Sequence, residues 1–406
     1  MSRTTVLVGF AEALAAPEVV WSLTDEGFRV VAFARKGRKS SIRHSRHVVC
    51  YEICPPEVDM QTSLYELRMI MAAINKESGG ESDQRLLFPL DDKAVWLGSR
   101  LEFENGWRLA GPPGNKAELA LNKCLQIQIA RDAGFDVPET VLARNASDVR
   151  GFSGTKGFPI ILKAAECVPI VDNRVVTCRK WICANHRELE HAIEEWNERV
   201  PLLVQPFVNG IGEGLFGLAV GDGVRAWSAH RRLRMMNPQG SGSSACISRP
   251  VSEDLRCKAD RFIKMTGWRG IFMMELLRDS TGKAWFVELN GRPWGSMALS
   301  RCQGLEYPAW QIRLAIDEHS SVGKDQSSTS GVACRHLGRE FMHLLFVLRG
   351  SKSKAQENWP SFWRALKEIL CIHRGDAYYN WRRDDPMVFV ADCYYTIYSN
   401  LFKVRD

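Results

Sequence analysis

The chain has 406 residues, of which 45% are hydrophobic and 25% charged, which is the composition of a globular protein rather than a disordered one. At about 100–200 residues per domain, this length predicts about two to four domains. The net charge of +7 is too small for a nucleic-acid-binding surface, and no apolar run is long enough to span a membrane. The 12 cysteines include no C-x-x-C pair, which argues against structural zinc and for a reducing, cytoplasmic location.

The first hundred residues alternate between predicted strands and helices. Residues 4–10 and 28–34 read as strands on either side of a helix from Ala11 to Thr24, and 85–100 reads as a strand, a loop and a helix. This order predicts a parallel, doubly wound sheet. A single glycine follows the first strand, so the dinucleotide fingerprint is absent and NAD binding is not expected. The apolar start imitates a signal peptide, but Glu12 interrupts it, and a buried strand is the preferred interpretation.

Two changes in composition divide the rest of the chain. The sequence GPPG at 111–114 predicts a domain boundary near residue 112, and the Ser- and Gly-rich segment 318–331 predicts a linker. We therefore expect an α/β domain over 1–112, an α+β domain over 113–317, the linker, and a C-terminal helical extension over 332–406. The expected strands are 158–165, 201–208, a pair around Asp172-Asn173 and most of 215–297, and the expected helices are 186–199, 253–266, 339–350, 359–375 and 387–402.

The segment 271–295, IFMMELLRDSTGKAWFVELNGRPWG, predicts a β-hairpin with its turn near Thr281-Gly282. In a register symmetric about that turn Glu275 faces Glu288, and side-chain alternation puts Asn290 and Arg292 on the same face. Directly opposed carboxylates destabilise a sheet unless a cation lies between them. Such oxygen ligands suit Mg²⁺, which takes one or two carboxylates together with substrate phosphates. The alternatives are that one Glu points to solvent, or that an arginine such as Arg292 neutralises the pair.

This hairpin resembles the metal-binding hairpin of the ATP-grasp superfamily, whose second strand reads E-x-N-x-R, as in FVELNGR here. By that resemblance Glu275, Glu288 and Asn290 hold one or two Mg²⁺ ions (or Mn²⁺) that bridge the phosphates of ATP, and Arg292 contacts the transferring phosphate. The resemblance covers roughly residues 4–316. It implies a Rossmann-like first domain, a mobile lid at about 155–205 and an antiparallel-sheet core.

The nucleotide-binding residues implied by the resemblance follow in chain order. Lys123, in the helix after GPPGNKAEL, is expected to be the first ATP-contacting lysine, with Lys116 as the second choice, and Lys163 at the end of PIILK is expected to be the second lysine. The segment LLVQPFVNGIGEG resembles the hinge, in which the backbone of Pro206, Phe207 and Val208 meets the adenine edge and Glu213 holds the ribose hydroxyls.

Two features depart from the family pattern. Gln205 stands where the family often has Glu to accept from the adenine amino group, and the loop after Lys163 lacks a glycine-rich phosphate clasp, for which Arg174 or Arg179 is a candidate substitute. The glycines at 210, 212 and 214 precede a strand rather than a helix, so they predict a turn that lines the nucleotide cleft and not a phosphate loop.

Two further segments, AHRRLRMMNPQGSGSSACISRP (229–250) and PWGSMALSRCQGLEYP (293–308), resemble the carboxylate–amine ligase-like branch. This branch includes relatives of the large subunit of carbamoyl-phosphate synthase and D-aspartate ligase-like proteins. Alternation puts Arg232 and Arg234 on one face with His230, so this strand is expected to line an acyl-phosphate site, a solvated basic edge being the alternative. Arg249 and Ser296 are candidate substrate-binding residues. His230 is a candidate general base or a structural histidine.

The resemblance implies an ATP-dependent ligase that acts on a small carboxylate and an amine, such as amino acids or short peptides. The carboxylate attacks the γ-phosphate to give an acyl phosphate and ADP, and the amine then displaces phosphate to leave an amide or peptide bond. The alternatives are a kinase of the same fold that phosphorylates a small-molecule acceptor, and a non-catalytic nucleotide-binding protein.

The C-terminal extension lies outside the resemblance. An apolar stripe at helical spacing is formed by Trp359, Phe362, Trp363, Leu366, Ile369 and Leu370. Packing against the rest of the enzyme or against a second subunit of a homodimer is the first interpretation. The second is peripheral contact with an anionic membrane, because residues 331–406 contain 12 basic and 8 acidic residues.

Overall fold

The computed structural model describes residues 4–77, 83–221, 223–240, 242–323, 326–327, 330–351, 359–371 and 375–402. Its first part is a parallel sheet with strand order β3-β2-β1-β4-β5, which confirms the doubly wound prediction. The elements are β1 (Thr5–Gly9), α1 (Ala16–Asp25), β2 (Arg29–Arg35), a 3₁₀ turn (Ser41–His44), β3 (Val49–Ile53), α2 (Met60–Glu77), β4 (Arg85–Pro89), α3 (Asp92–Ser99) and β5 (Trp107–Leu109).

Strand β1 is buried on both faces, which explains its unbroken apolar run. Val6 and Val8 pack into the core on the α1 side, whereas Leu7 packs with α2 on the opposite face. Helix α1 begins later than predicted, because the residues before Ala16 form turns and Pro17 occupies the first helical turn, where its missing N–H costs nothing.

Residues 115–206 form two helices and then a separate antiparallel sheet, which we call the lid. The helix that the sequence predicts after GPPG is divided in two at Asn122. The side chain of Asn122 caps the second helix, and Lys123 is the first residue of that helix. The lid sheet has strand order β10-β7-β11-β6 and its own core around Leu162 and Trp196, and it begins before residue 155. The elements are α4 (Asn115–Leu121), α5 (Lys123–Asp132), β6 (Val141–Ala143), α6 (Ala146–Lys156), β7 (Ile160–Ala164), β8 (Ile170–Val171), β9 (Arg174–Val175), β10 (Trp181–Cys183), α7 (His186–Trp196) and β11 (Leu202–Pro206).

A large sheet forms the core of the second half, with strand order β16-β15-β12-β13-β14-β18-β19 and β17 beside β13. The elements up to residue 316 are β12 (Ile211–Val220), β13 (Gly223–Met235), β14 (Ser243–Arg249), α8 (Glu253–Thr266), β15 (Gly270–Arg278), β16 (Ala284–Asn290), α9 (Met297–Arg301) and α10 (Tyr307–Ile316). Those after it are β17 (Gln326–Ser327), β18 (Ala333–Arg335), α11 (Leu337–Arg349), α12 (Phe362–Leu370), β19 (Ala377–Tyr378) and α13 (Pro386–Leu401).

The C-terminal extension contains the three expected helices, but it is not only helical. Strand β18 pairs with β14 and strand β19 pairs with β18, so the extension continues the core sheet. Part of the predicted linker also joins the sheet, since Gln326 and Ser327 pair with β13; residues 324, 325, 328 and 329 of that segment lie outside the described residues. Within the described ranges, no helix has both the length and the apolar character that crossing a bilayer requires.

Candidate active site

A cavity of about 940 Å³ lies between the lid sheet and the core sheet. Its apolar wall includes Ile161, Ile182, Leu277 and Val287. Most of the residues predicted from the sequence line it, namely Lys123, Lys163, Gln205, Pro206, Phe207, Val208, Arg232, Arg234, Glu275 and Glu288. An enclosed cleft with an apolar wall and a few converging charges is the usual form of a small-molecule site.

The carboxylate hairpin has the predicted register where it matters. Glu275 pairs with Glu288, and Met273 pairs with Asn290. Towards the turn the register shifts by one residue, so that Leu276 pairs with Phe286 and Val287 is the extra residue of a bulge. The symmetric prediction therefore holds at the carboxylates and is wrong by one residue beyond them.

The two opposed carboxylates are balanced by cations from other elements. Arg232 Nη2 on β13 donates to Glu275 Oε1 at 2.7 Å, and Lys123 Nζ lies 3.7 Å from Glu288 Oε2. Asn290 is buried beside the pair, with Nδ2 at 3.4 Å from Glu288 Oε1. The repulsion expected between facing glutamates is thus offset by Arg232 and Lys123. Neutralisation by an arginine, the alternative considered above, therefore does occur here, but with Arg232 and not Arg292 as the direct partner.

The two lysines differ in their electrostatic setting. Burial disfavours the charged form of Lys123, but Glu288, Cys167 and Asp92 together outweigh this and hold the pKa of the lysine above its ordinary value. Burial lowers the pKa of Lys163 to about 8, although Glu288 acts in the opposite direction. The second candidate for the first lysine, Lys116, does not line the cavity and lies near Gly267. Of the three lysines predicted from the sequence, Lys123 and Lys163 thus line the cavity, which Lys93 and Lys180 also border.

Glu275, Glu288 and Asn290 are the oxygen ligands that the hairpin offers to the predicted Mg²⁺. No group of three or more His, Cys, Asp and Glu side chains in the described part of the chain is arranged to hold a metal. Two carboxylates and one amide therefore leave most of the coordination sphere to other oxygens. That is the set Mg²⁺ takes when it binds one or two carboxylates, water and substrate phosphates, so these residues fit the ion.

The hinge is partly as predicted. Gln205 is 4% exposed and its Nε2 donates to Thr140 Oγ1 at 2.7 Å, so the carboxamide presents its oxygen as the acceptor. The Phe207 N–H donates to the carbonyl of Pro159 at 2.9 Å. The amide of Phe207 is therefore already engaged and Pro206 has no N–H, so neither residue offers adenine a backbone donor in this arrangement.

Glu213 is not brought to the cavity, which corrects its predicted ribose role. It lies on the opposite face of β12 from the cavity, because its partner across the strands is Leu276 and not Glu275. Arg278 holds its carboxylate from Nε at 3.0 and 2.9 Å. The neighbouring glycines belong to strand β12 and its approach, not to a turn; a side chain at Gly212 would come within 2.6 Å of Arg232 Cδ. Gly212 thus makes room for the arginine that faces Glu275.

Arg292 is half-buried and does not line the cavity, but it holds a residue that does. Its Nε and Nη2 donate to the two oxygens of Asp92 at 2.7 and 3.3 Å. Burial opposes ionisation of Asp92, yet Arg292 keeps the pKa of that carboxyl below its ordinary value. Asp92 also borders a second cavity of about 410 Å³, lined by Glu12, Arg35, Arg38, Glu57, Asp91, Asp92, Lys93 and Cys167. The two cavities share Asp92, Lys93 and Cys167.

Arg234 lines the main cavity but is paired with the C-terminal extension. Its Nε and Nη2 donate to Glu340 of α11 at 2.9 and 2.7 Å. Glu340 is 1% exposed and also accepts from Arg335 and from Ser244 Oγ. Glu340 was not among the residues predicted from the sequence. Its position could have indicated a buried charge, because it shares one helical face with His343 and Val347, where apolar residues are expected.

Three further candidates lie away from the cavity. His230 is buried against Phe216, burial lowers its pKa to about 3, and neither ring nitrogen has a hydrogen-bond partner among the described residues. It is neutral at physiological pH and far too weak a base for the predicted role. Arg249 is exposed at the end of β14, and Ser296 is buried at the start of α9. Their predicted substrate contacts are therefore not supported.

The loop after Lys163 is docked on the parallel-sheet domain. Val168 and Val175 are each 3% exposed and pack with Leu7 and Phe33 of that domain. The Cys167 N–H donates to the carbonyl of Leu121 at 2.8 Å. Of the two arginines considered as substitutes for a glycine clasp, Arg179 lines the cavity but is paired with Glu195 at 2.7 Å, whereas Arg174 is exposed and lies outside the cavity wall.

Comparison with known proteins gives matches in structure only. No protein-family model matches the sequence, and no curated protein sequence matches it. The chain is similar to the biotin carboxylase domain of 2-oxoglutarate carboxylase from Hydrogenobacter thermophilus, solved with MgADP, ADP and bicarbonate. The TM-score is 0.62 and the identity 19%, over 80% of this chain and 72% of that one.

Two ligases are similar to a comparable degree. The L-amino acid ligase from Bacillus licheniformis matches with a TM-score of 0.56 and 15% identity, over 78% of this chain and 74% of that one. The N5-carboxyaminoimidazole synthetase from Staphylococcus aureus, complexed with ADP, matches with a TM-score of 0.58 and 14% identity, over 81% of each chain. At such identities the likeness establishes architecture, and the chain has the ATP-grasp fold that its hairpin and the order of its elements predict.

Proposed function

We propose that the protein is an ATP-dependent carboxylate–amine ligase that uses Mg²⁺ and forms an amide or peptide bond. The observation that carries this proposal is the convergence of Glu275, Glu288, Lys123, Lys163 and Arg232 on one cavity under the lid. Phosphoryl transfer needs alignment and charge neutralisation more than it needs a nucleophilic side chain, and these residues supply both. Its support from comparison is that proteins of this fold include an L-amino acid ligase and a synthetase complexed with ADP.

The chain's own residues divide the work of the first step. The apolar wall and Gln205 receive the adenine, and Lys123 and Lys163 neutralise the phosphates. Bound Mg²⁺, held by Glu275, Glu288 and Asn290, would withdraw charge from the phosphate oxygens. A carboxylate oxygen of the first substrate then attacks the γ-phosphorus as the bond to ADP breaks, which leaves an acyl phosphate and ADP. The lid covers this cavity and excludes water, which would hydrolyse the intermediate.

In the second step the amine nitrogen attacks the acyl carbon, phosphate leaves with the bonding electrons, and the nitrogen loses one proton. The second cavity is the proposed entry for the amine, because it shares Asp92, Lys93 and Cys167 with the main cavity. Its carboxylates Glu12, Glu57 and Asp91 are paired with Arg35 at 2.9, 3.3 and 2.7 Å, so the entry is not selective for an ammonium group by charge. An amine that arrives as an ammonium ion loses one proton before it attacks and the other as the amide forms.

The test is ADP release from MgATP by the purified protein with pools of amino acids and small carboxylates. We expect pool-dependent ADP with an equal amount of free phosphate, and Glu288→Gln should abolish it. ADP without free phosphate would identify a kinase instead. ADP release that persists in Glu288→Gln would contradict the assignment of the metal-binding hairpin, and nucleotide binding without turnover in any pool would reduce the function to nucleotide binding.

A further inference from the structure

Helix α13 exposes an apolar face that nothing in the described chain covers. Met387, Val390 and Tyr394 are 55%, 53% and 54% exposed. Together with Leu401 they recur at helical spacing and lie on one side of the helix. The adjoining side is buried, since Val388 packs into the core beside α1 and Ala391 is 7% exposed. The helix is therefore apolar on two sides, of which one is buried and the other is turned outwards.

The outward face carries no charge. Residues 386–402 contain a single charged residue, Asp392. Its side chain is 15% exposed and lies 3.0 Å from His336 Nε2, so it belongs to the inner side. Aromatic rings continue the outward face towards the C-terminus: Tyr394 lies 5.8 Å from Tyr398, which lies 5.2 Å from Phe402, between ring centroids. An uncharged exposed row of this length is typical of a surface that meets an apolar phase or a partner.

A basic segment borders this face. From Arg35 to Tyr51, with Arg35 included, the sequence has six Lys and Arg residues and no Asp or Glu. Five of the six cations are exposed, namely Lys36, Arg38, Lys39, Arg43 and Arg46. Lys39 Nζ lies 4.8 Å from the ring centroid of Tyr398, and His44 Nε2 lies 2.8 Å from Tyr395 Oη, so the basic segment and the aromatic row are contiguous.

The charges of this border are only partly balanced. Arg43 is paired with Glu52, and Arg46 with Asp384. Lys36 and Lys39 have no carboxylate at ion-pair distance among the described residues, so an excess of positive charge remains next to the aromatic row. A second copy placed on this face would bring one basic border towards another and would be opposed by like charges. An anionic surface is attracted by the same border.

We propose that α13 and the segment 36–46 form a docking surface for an anionic lipid bilayer. In this arrangement Met387, Val390, Tyr394 and Leu401 enter the headgroup region, the tyrosine rings lie at headgroup depth, and Lys36 and Lys39 face the anionic headgroups. The helix lies along the membrane and does not cross it. Apart from Arg38, which borders the second cavity, no residue of this surface lines either cavity, and Lys36 and Lys39 can therefore be changed without altering the proposed active site.

The experiment is co-sedimentation of the full-length protein with vesicles of phosphatidylcholine, with and without phosphatidylserine. The wild-type protein should sediment with the phosphatidylserine vesicles and much less with the neutral ones. Lys36→Glu combined with Lys39→Glu should weaken binding by at least about tenfold. Val390→Ser combined with Tyr394→Ser should weaken it similarly, because the inserted apolar area is lost.

Matched controls separate this surface from general charge and general hydrophobicity. Arg187→Glu with Lys264→Glu makes the same change in net charge at exposed positions elsewhere, and Tyr65→Ser with Met69→Ser removes two exposed apolar side chains from α2. Both controls should bind vesicles like the wild type, and the unfolding midpoint of each variant verifies that it folds. Absence of vesicle binding, equal losses in the controls, or a wild-type dimer that Val390→Ser with Tyr394→Ser separates would each overturn the proposal.

Discussion

Two arginines on strand β13, Arg232 and Arg234, both line the main cavity, yet their carboxylate partners come from different parts of the chain. Arg232 is paired with Glu275 of the hairpin, whose side chain is 21% exposed, whereas Arg234 is paired with Glu340 of the C-terminal extension, which is 1% exposed. A carboxylate that is open to a cavity can exchange its arginine for a ligand. A carboxylate that is enclosed between two arginines, as Glu340 is, cannot exchange them for a ligand. The pair of Arg234 and Glu340 therefore stabilises the fold.

The largest effect on stability is expected at Glu340. Glu340→Gln removes the buried counter-charge that Arg234 and Arg335 share and leaves them only the longer contacts to Glu368 at 3.7 Å and Asp376 at 3.5 Å. We expect the free energy of unfolding to fall by about 3–5 kcal/mol. Urea denaturation measures it. The matched control is Glu368→Gln, because Glu368 lies 3.7 Å from Arg234 but is 45% exposed, and removing it should cost less than about 1 kcal/mol. Equal stability of Glu340→Gln and the wild type would remove the distinction between the two pairs.

The largest effect on turnover is expected at Glu275, the partner of Arg232. Glu275→Gln removes a carboxylate from the proposed metal site, and kcat for ADP release should fall by roughly 10²–10³-fold. Its free energy of unfolding should change by less than about 1 kcal/mol, because the side chain is partly exposed. Glu213→Gln is the control: its carboxylate lies on the other face of the same sheet and is paired with Arg278. A loss of turnover in Glu213→Gln as large as in Glu275→Gln would contradict the assignment of the two faces.

The smallest effect is a pH dependence of ATP affinity, which we expect from Lys163 in the cavity. Burial lowers the pKa of Lys163 to about 8, so the free protein carries this positive charge below about pH 8 and loses it above. Since phosphate binds the protonated lysine, ATP affinity should fall by up to about tenfold for each pH unit above that value. Calorimetric titration of ATP across this range measures the slope. In Lys163→Arg the charge persists, so the slope should vanish; an unchanged slope would assign it to another group.

Much of the fold followed from the sequence because the signals are local. The apolar run of β1, the Gly-Pro break near residue 112 and the polar turn of the hairpin each specify nearby backbone. The pairing of Glu275 with Glu288 followed from the turn and from side-chain alternation alone. The bulge at Val287 did not, since it depends on how β16 packs against its surroundings.

The errors lie where a role depends on strands that are distant in sequence. Glu213 has the expected residue type in the expected segment, but which face it occupies is fixed by its pairing with β15, more than sixty residues later. His230 follows the same logic, because its depth is set by Phe216 on the neighbouring strand. Glu340 reaches Arg234 from α11, in a segment outside the family resemblance. The local sequence marks Glu340 as a charge on an apolar helical face, but in none of the three cases does it identify the partner.

The docked loop after Lys163 bears on the speed of the reaction cycle. Because Val168 and Val175 are buried in the core of the parallel-sheet domain, lifting this loop from the cavity exposes both side chains. At about 1.5–3 kcal/mol for each valine, the open form is populated to less than about 1%. In the proposed ligase a spent nucleotide would leave only through this rare opening, which makes product departure the expected slow step. The first turnover would then outpace all that follow it.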